Sequence, residues 1–341
     1  FFSSRRRHTR YGTVTGVQTC ALPICQRGHS VLLLGYDAGT IHIPANAAVV
    51  IACLRQITRR SRDPVSLGGV SMGGQITRYA LAWLESTGQS HPCALYFSID
   101  TPPLGSVTSV GVQWFVREFA PVLSAAADLA WLIATPANRE FLIAFLHAED
   151  VSPDPAHLAL LADFQAVGNF PKQPRCIAIA SGHGRGGRFL EAGAPLLEWS
   201  GHPFAEAVLR VSGPDPNQFV AEGACYPDPG HRTKVAYVNP DSWEGVPGGQ
   251  AAYIAMAAAI AQSAGYGEIT LHSPRVCVVP TVSALCLAQA PDAPIPASPP
   301  SGSPFHAWAT ADENLNHCEL SAATAEFLIR EIASLPGACD P

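Results

Sequence analysis

The chain has 341 residues, of which 48% are apolar and 14% charged, and its formal net charge is −6. This length and apolar fraction suit one large domain or two domains with an ample buried core. An acidic balance argues against nucleic acid or an anionic membrane as a partner, because both require clustered positive charge. No apolar run approaches the roughly 18 residues of a membrane-spanning helix, so no integral membrane segment is expected.

The first 24 residues differ in composition and periodicity from the rest of the chain; their sequence is FFSSRRRHTRYGTVTGVQTCALPI. They include four arginines and no acidic residue, and they show neither helical nor alternating periodicity. They resemble the translated read-through of a sequencing adapter, and the alternative is a basic, disordered arm. We therefore exclude 1–24 from the fold prediction. The biological chain then begins near Cys25 without its native start, and leaving out the four arginines lowers its net charge from −6 to −10.

Cysteine usage leaves the cellular compartment open. Eight cysteines follow Cys25, but none forms a CxxC pair, so neither a zinc site nor a redox motif is supported. Cys225 and Cys339 lie in loop-like sequence and could be bridged in an oxidising compartment. A secreted or periplasmic location is favoured over a cytoplasmic one, since a signal peptide could have been lost with the native start.

The first predicted elements alternate between strand and helix. SVLLLGY (30–36) is a continuous apolar run before a turn, which is typical of a buried parallel strand. A helix is predicted over 44–59, a strand over 65–70, and a second helix after the glycine-rich corner that follows. ALYFSI (94–99) is the next strand and ends at Asp100. This alternation predicts an α/β fold with a mostly parallel sheet covered by helices on both faces.

The glycine-rich corner has the G-x-S-x-G pattern of a nucleophile elbow around Ser71. In such an elbow the serine lies on a strained strand-to-helix turn, and its hydroxyl projects above the sheet. Gly69 and Gly73 would remove side chains where the strand and the helix meet. The backbone N–H of Met72 would point towards a developing oxyanion. The alternative is a structural turn, but the strand before it and the amphipathic helix after it favour a nucleophile.

These stretches resemble the α/β-hydrolases of the lipase/esterase type, and more narrowly a bacterial group of serine hydrolases, many of them from Bacteroidetes. That group has a GxSMGG elbow, an R-Y-A-L helix, a strand ending in a D-x-P-H-x-G-A-like motif, and a late P-T-x-S-A-L. The chain has GVSMGG, RYAL, DTPPLGS, VVPTVSAL (278–285) and ENLNHCEL (313–320), so the resemblance runs from about residue 30 to 335. It departs at Pro103, where the group usually has histidine, and at Ser106, which replaces alanine. The resemblance implies an N-terminally truncated α/β-hydrolase fold.

A serine hydroxyl is inert at neutral pH until a base takes its proton, and His317 is the candidate base. It lies in a late polar loop, just before an N-cap-like Ser321 and an amphipathic helix. The order nucleophile, acid and late histidine is that of the α/β-hydrolases. The alternative is a solvated loop histidine.

Asp100 is the preferred acid of the triad. It ends the strand next along from the elbow strand, and neighbouring parallel strands lie about 4.8 Å apart, so its carboxylate could reach a histidine that faces Ser71. Its alternative role is to cap the Thr-Pro-Pro turn that follows. A later strand predicted over 176–182 has no carboxylate soon after it. The rival acids are Asp215, Asp241 and Asp312.

The predicted organisation is a first part of the hydrolase core (25–103), a helical lid (104–175) and a second part of the core with loop insertions (176–341). Apolar residues at helical spacing over 112–119, and again from Pro136 to Phe145, predict the lid helices. Such helices would form an acyl-binding cleft over the mouth of the sheet. Plain helical packing is the alternative.

The predicted function is hydrolysis of a small-molecule or lipid ester through an acyl-enzyme on Ser71, without a metal or organic cofactor. The alternatives are an acyltransferase of the same fold and an inactive hydrolase fold used for binding. The sequence identifies neither the particular ester nor the oligomeric state. The second oxyanion donor is expected upstream, where 1–24 now stands, which would make the chain as written a poor catalyst. If the second oxyanion donor does not lie upstream, the loop 35–39 is the next candidate to supply it.

Overall fold

The fold is known from a computed structural model that describes residues 24–25, 30–61, 63–148, 150–225 and 232–335, so most of the adapter-like segment lies outside the described residues. The helices are α1 (Ile43–Arg60), α2 (Met72–Ser86), α3 (Val110–Phe119), α4 (Ser124–Ile133), α5 (Pro136–Phe141), α6 (Pro155–Ala166), α7 (Tyr253–Gln262), α8 (Thr281–Ala284) and α9 (Ala322–Ala333). The strands are β1 (Val65–Val70), β2 (Cys93–Ile99), β3 (Phe145–Leu146), β4 (Val151–Ser152), β5 (Arg175–His183), β6 (Pro195–His202), β7 (Ala205–Arg210), β8 (Phe219–Cys225), β9 (Thr233–Ala236), β10 (Gly248–Ala251), β11 (Glu268–Leu271), β12 (Val276–Pro280) and β13 (Ala307–Ala311). Every helix among these residues is too short or too polar to cross a bilayer.

A four-stranded parallel sheet has the order β1-β2-β5-β13. Alternate residues of β2 point to opposite faces: Tyr96 packs with α1 and α2, whereas Leu95 packs with α9. The two central strands, β2 and β5, are buried on both faces, and their sequences are accordingly mostly apolar. The prediction of a mixed α/β fold with a parallel sheet is confirmed, as are the strands over 65–70 and 94–99 and the helix over 44–59.

The segment 30–36 is not a strand, so that prediction is wrong. Its residues have no regular secondary structure, and Leu32 and Leu33 are 67% and 53% exposed. A strand requires a neighbour for its backbone hydrogen bonds, and in the described part of the chain β1 pairs with β2 alone. Among the described residues, 30–36 does not pair with the outer edge of β1, and only Leu34 and Tyr36 of this run pack partly against the α1–α2 cluster.

A second, antiparallel sheet has the strand order β11-β6-β7-β8-β9. Trp114, Phe115 and Phe119 of α3 pack with Trp199 of β6, and the rings of Phe119 and Trp199 lie 5.2 Å apart. The apolar residues over 112–119 that predict a lid helix are thus buried against a sheet. The sequence predicts loop insertions after residue 176 but not these five strands.

Helix α5 is hydrogen-bonded to the start of α1. Helix α5 begins with Pro136 as its first residue and ends at Phe141, four residues short of the predicted Phe145. The carboxylate of Glu140 accepts a hydrogen bond from the Ile43 N–H (2.8 Å) and lies 2.7 Å from Nδ1 of His42. Burial raises the pKa of Glu140 above its ordinary value. The buried carboxyl thereby fixes α5 beside the chain that leads into α1.

Candidate active site

Ser71 lies on the sharp turn between β1 and α2, with φ 53° and ψ −124°. Its N–H donates to the carbonyl of Ile99 (2.9 Å), which anchors the turn to β2. A Cβ atom at Gly69 would lie 2.2 Å from the carbonyl carbon of Gly73, so glycine is required where the turn closes. A non-glycine residue in this backbone region is strained, as the elbow pattern predicts.

The steric role predicted for Gly73 is wrong. A Cβ atom there would meet no atom within 4 Å, whereas one at Gly74 would lie 1.9 Å from Oγ1 of Thr101. The close approach is therefore made by the second glycine of the pair. It brings the first turn of α2 against the chain that leaves β2.

His317 lies in the loop between β13 and α9 and contacts the serine directly. Its Nε2 is 2.7 Å from Oγ of Ser71, within the range expected for a nucleophile and its base. The His317 N–H donates to the carbonyl of Gln250 (2.8 Å), which holds the loop against β10. Ser321 caps α9 by accepting from the N–H of Thr324, as predicted.

Asp100 directly follows β2 and is fully buried, with φ 45°. Its Oδ2 lies 2.7 Å from Nδ1 of His317 and accepts from the N–H of Cys318 (3.2 Å). Its Oδ1 accepts from the N–H of Ser181 (3.1 Å). The carboxylate thus faces the histidine and two amides and does not cap the following turn.

The rival acids have other partners. Oδ1 of Asp215 accepts from the N–H of Asn217. The backbone carbonyls of Asp241 and Asp312 accept from Arg188 and Arg185 respectively. Asp100 is the carboxylate hydrogen-bonded to His317.

The environment of His317 shifts its proton affinity in both directions. Burial lowers the pKa of the imidazole, whereas the adjacent Cys318 and the hydrogen bond to Asp100 raise it, and the net shift is upward. The thiol of Cys318 lies beside His317 and Ser71, and burial raises its pKa. The hydrogen bond between Nδ1 of His317 and Oδ2 of Asp100 favours the protonated imidazole.

Met72, predicted to supply an oxyanion donor, is the first residue of α2, so its N–H has no partner within the helix. Met72 also lines a cavity of about 210 Å³, together with Gly39 and Thr40 of the loop before α1. The suspected second oxyanion loop, 35–39, thus reaches the same cavity. Among the described residues, no group of three His, Cys, Asp or Glu side chains could hold a metal ion.

Sequence reasoning missed the groups that hold the triad in place. Ser181 and Cys318 contribute backbone N–H groups, which leave no mark on residue type. Gly249 is different, because a Cβ atom there would lie 1.9 Å from Oδ2 of Asp100. The pair Gly248–Gly249 in PGGQA was a signal for a close backbone approach.

No protein-family model matches the chain, and no curated protein is significantly similar to it. The site is defined by its residues and their geometry.

Proposed function

We propose that this protein is a serine hydrolase of carboxylic esters with an α/β-hydrolase fold. The observation that carries the proposal is the hydrogen-bond chain from Asp100 through His317 to Ser71, with 2.7 Å on each side of the imidazole. Such a chain supplies a nucleophile, its base and the group that orients the base. The imidazole side chain is 22% exposed, so an ester can reach it, whereas Asp100 is sealed behind it.

The positions of Ser71, Asp100 and His317 in the parallel sheet support the proposed α/β-hydrolase fold. Each follows a strand of the parallel sheet: Ser71 follows β1, Asp100 follows β2, and His317 lies in the loop after β13. The carboxyl ends of parallel strands lie at one edge of a sheet, which is where ligands bind in open α/β sheets. The strand–turn–helix around Ser71 and the order Ser, Asp, His agree with the hydrolase pattern.

In the first half-reaction, Oγ of Ser71 attacks the ester carbonyl carbon while Nε2 of His317 accepts the hydroxyl proton. The carbonyl oxygen becomes an oxyanion beside the N–H of Met72, and Asp100 stabilises the imidazolium. Collapse of the tetrahedral intermediate breaks the bond to the leaving oxygen, which takes the proton from Nε2. An alcohol leaves, and the acyl group stays on Ser71.

In the second half-reaction, water repeats the attack on the acyl-enzyme. Nε2 of His317 takes a proton from the water and returns it to Oγ of Ser71 as the acid is released. In both half-reactions Asp100 holds the imidazole ring in place through the hydrogen bond to Nδ1.

The test is covalent labelling with a fluorophosphonate together with hydrolysis of a short p-nitrophenyl ester. Ser71→Ala should abolish labelling and lower kcat by about 10⁴-fold or more, because the nucleophile is lost. The matched control is Ser86→Ala, since Ser86 lies at the exposed end of the same helix and its hydroxyl donates to the carbonyl of Trp83. Labelling that persists in Ser71→Ala would contradict the proposal.

A further inference from the structure

The cavity next to Met72 is bounded by α2, α4 and α5. Its apolar lining consists of Met72, Leu129, Leu132, Ile133, Ala137 and Leu142. Residues 129, 132 and 133 lie on one face of α4, since positions three and four apart in a helix are neighbours. Tyr253 also lines the cavity, and its side chain lies beside Thr108 and Cys318. The cavity therefore extends from Met72, the residue after Ser71, to Tyr253, which lies beside the residue that follows His317.

We infer that this cavity binds the acyl group of the substrate and selects uncharged, unbranched chains of about six to eight carbons. The inference rests on the proposed function, because the acyl carbon must lie at Ser71. Ser71 itself lines neither this cavity nor a larger one of about 420 Å³ between Leu104, Trp243 and Leu287, but its neighbour Met72 lines this one and not the larger. An acyl chain attached to Ser71 enters the cavity that begins at the next residue.

The lining excludes charge. No Asp, Glu, Lys, Arg or His is among the described residues that line the cavity. Two of its polar side chains are engaged with the backbone, because Thr135 and Asn138 both donate to the carbonyl of Leu132. A carboxylate or ammonium group on the acyl chain would lose its hydration without gaining a partner of opposite charge.

The volume sets the chain length. At about 30 Å³ for each water-sized group, 210 Å³ holds about seven non-hydrogen atoms. Each methylene that enters should raise kcat/KM about fourfold, until the cavity is full. Longer chains must leave past Leu132, whose 39% exposure places it where α4 meets solvent. Additional carbons then gain little.

The experiment is a series of p-nitrophenyl esters from acetate to hexadecanoate, measured as kcat/KM. For the unmodified chain we expect a rise of about 250-fold from acetate to hexanoate, a maximum at about six to eight carbons, and a decline beyond it. The half-ester of adipic acid, which ends in a carboxylate, should react at least about tenfold more slowly than hexanoate.

Two substitutions at Leu132 should move the maximum in opposite directions. Leu132→Trp fills the cavity and should lower kcat/KM for octanoate about tenfold relative to acetate, whereas Leu132→Ala should move the maximum about two carbons longer. The matched controls are Leu158→Trp and Leu158→Ala on α6, at a leucine that is 55% exposed and lines none of the described cavities. Their chain-length profiles should equal that of the unmodified chain.

Ser71-dependent hydrolysis with a flat chain-length profile would overturn the inference and leave the proposed function intact. Identical profiles for both Leu132 variants and the unmodified chain would do the same. Failure of the fluorophosphonate to label Ser71 would overturn the proposed function, and with it this inference. The labelling arm therefore separates the two failures.

Discussion

Two buried carboxyl groups, Asp100 and Glu244, lie in different parts of the molecule and have different partners. Asp100 ends a strand of the parallel sheet, whereas Glu244 lies in a short 3-10 helix (Trp243–Gly245) ahead of β10. They are 0% and 1% exposed, so burial does not distinguish them. The difference lies in the groups that face them.

Asp100 accepts hydrogen bonds from the backbone amides of Ser181 and Cys318 and lies against the imidazole of His317. Glu244 accepts from the hydroxyl of Ser212 (2.5 Å), which in turn accepts from Nδ2 of Asn239 (2.9 Å). Burial raises the pKa of Glu244. One buried carboxyl thus contacts a histidine and two backbone amides, whereas the other joins the short 3-10 helix to the segment that follows β7.

The sharpest test replaces each carboxyl by its amide. Asp100→Asn should lower kcat on the order of 10³–10⁴-fold, because an amide neither fixes the useful imidazole tautomer nor stabilises the imidazolium. Glu244→Gln should change kcat less than about twofold, as it leaves the triad untouched. Ester hydrolysis and circular dichroism of both variants provide the measurement. If both variants fold and lose kcat to a similar extent, the proposed difference between the roles of Asp100 and Glu244 is wrong.

The second test crowds each site through its neighbouring glycine. A Cβ atom at Gly249 would lie 1.9 Å from Oδ2 of Asp100, and one at Gly245 would lie 2.1 Å from the carbonyl oxygen of Leu190. Each alanine variant should lose about 1–3 kcal/mol of unfolding free energy. Gly249→Ala alone should also lower kcat of the folded protein about 10–100-fold, because it displaces the carboxylate. An undiminished kcat in that variant would show that the contact is not coupled to catalysis.

The third test is the pH dependence of the base. His317 must be neutral to accept the serine proton, so kcat/KM should rise with pH through the pKa of His317. Because that pKa is raised, the acid limb should lie above the ordinary value of about 6.5. Asp100→Asn removes a group that raises the pKa, so an NMR titration of the His317 ring should move to lower pH. Glu244→Gln should leave that titration unchanged, and a shift to higher pH in Asp100→Asn would refute the assignment.

The smallest effect concerns the stability of the fold. The folded pKa of Glu244 is raised, so its contribution is fully present below the unfolded pKa and is lost as pH rises through the folded pKa. Glu244→Gln removes this loss, because the amide never ionises. Denaturant midpoints should therefore converge at low pH and favour the variant as pH rises. A gap that narrows with rising pH would mean that the fold prefers the charged form.

The comparison also separates what the sequence could predict from what it could not. The elbow, the two strands beside it and His317 were predictable, since each depends on a local pattern of glycine spacing, apolar runs or a helix cap. The absence of a strand over 30–36 was not predictable, because an apolar run does not show whether its backbone pairs with a neighbouring strand. Residues 112–119 were read correctly as a helix, but their partner is a sheet formed by residues about 80 to 160 positions later.

The sequence by itself determined the strained corner at Ser71 and the order of the three site residues, because local sterics and spacing act within a few residues. The tertiary structure decided which carboxylate meets His317, since Asp100 and His317 are 217 positions apart and are joined by strand order. It also decided that Gly74, and not Gly73, allows the close approach to Thr101. The physical reason is that packing distances between distant segments are set by the whole sheet and its covering helices, which no local pattern encodes.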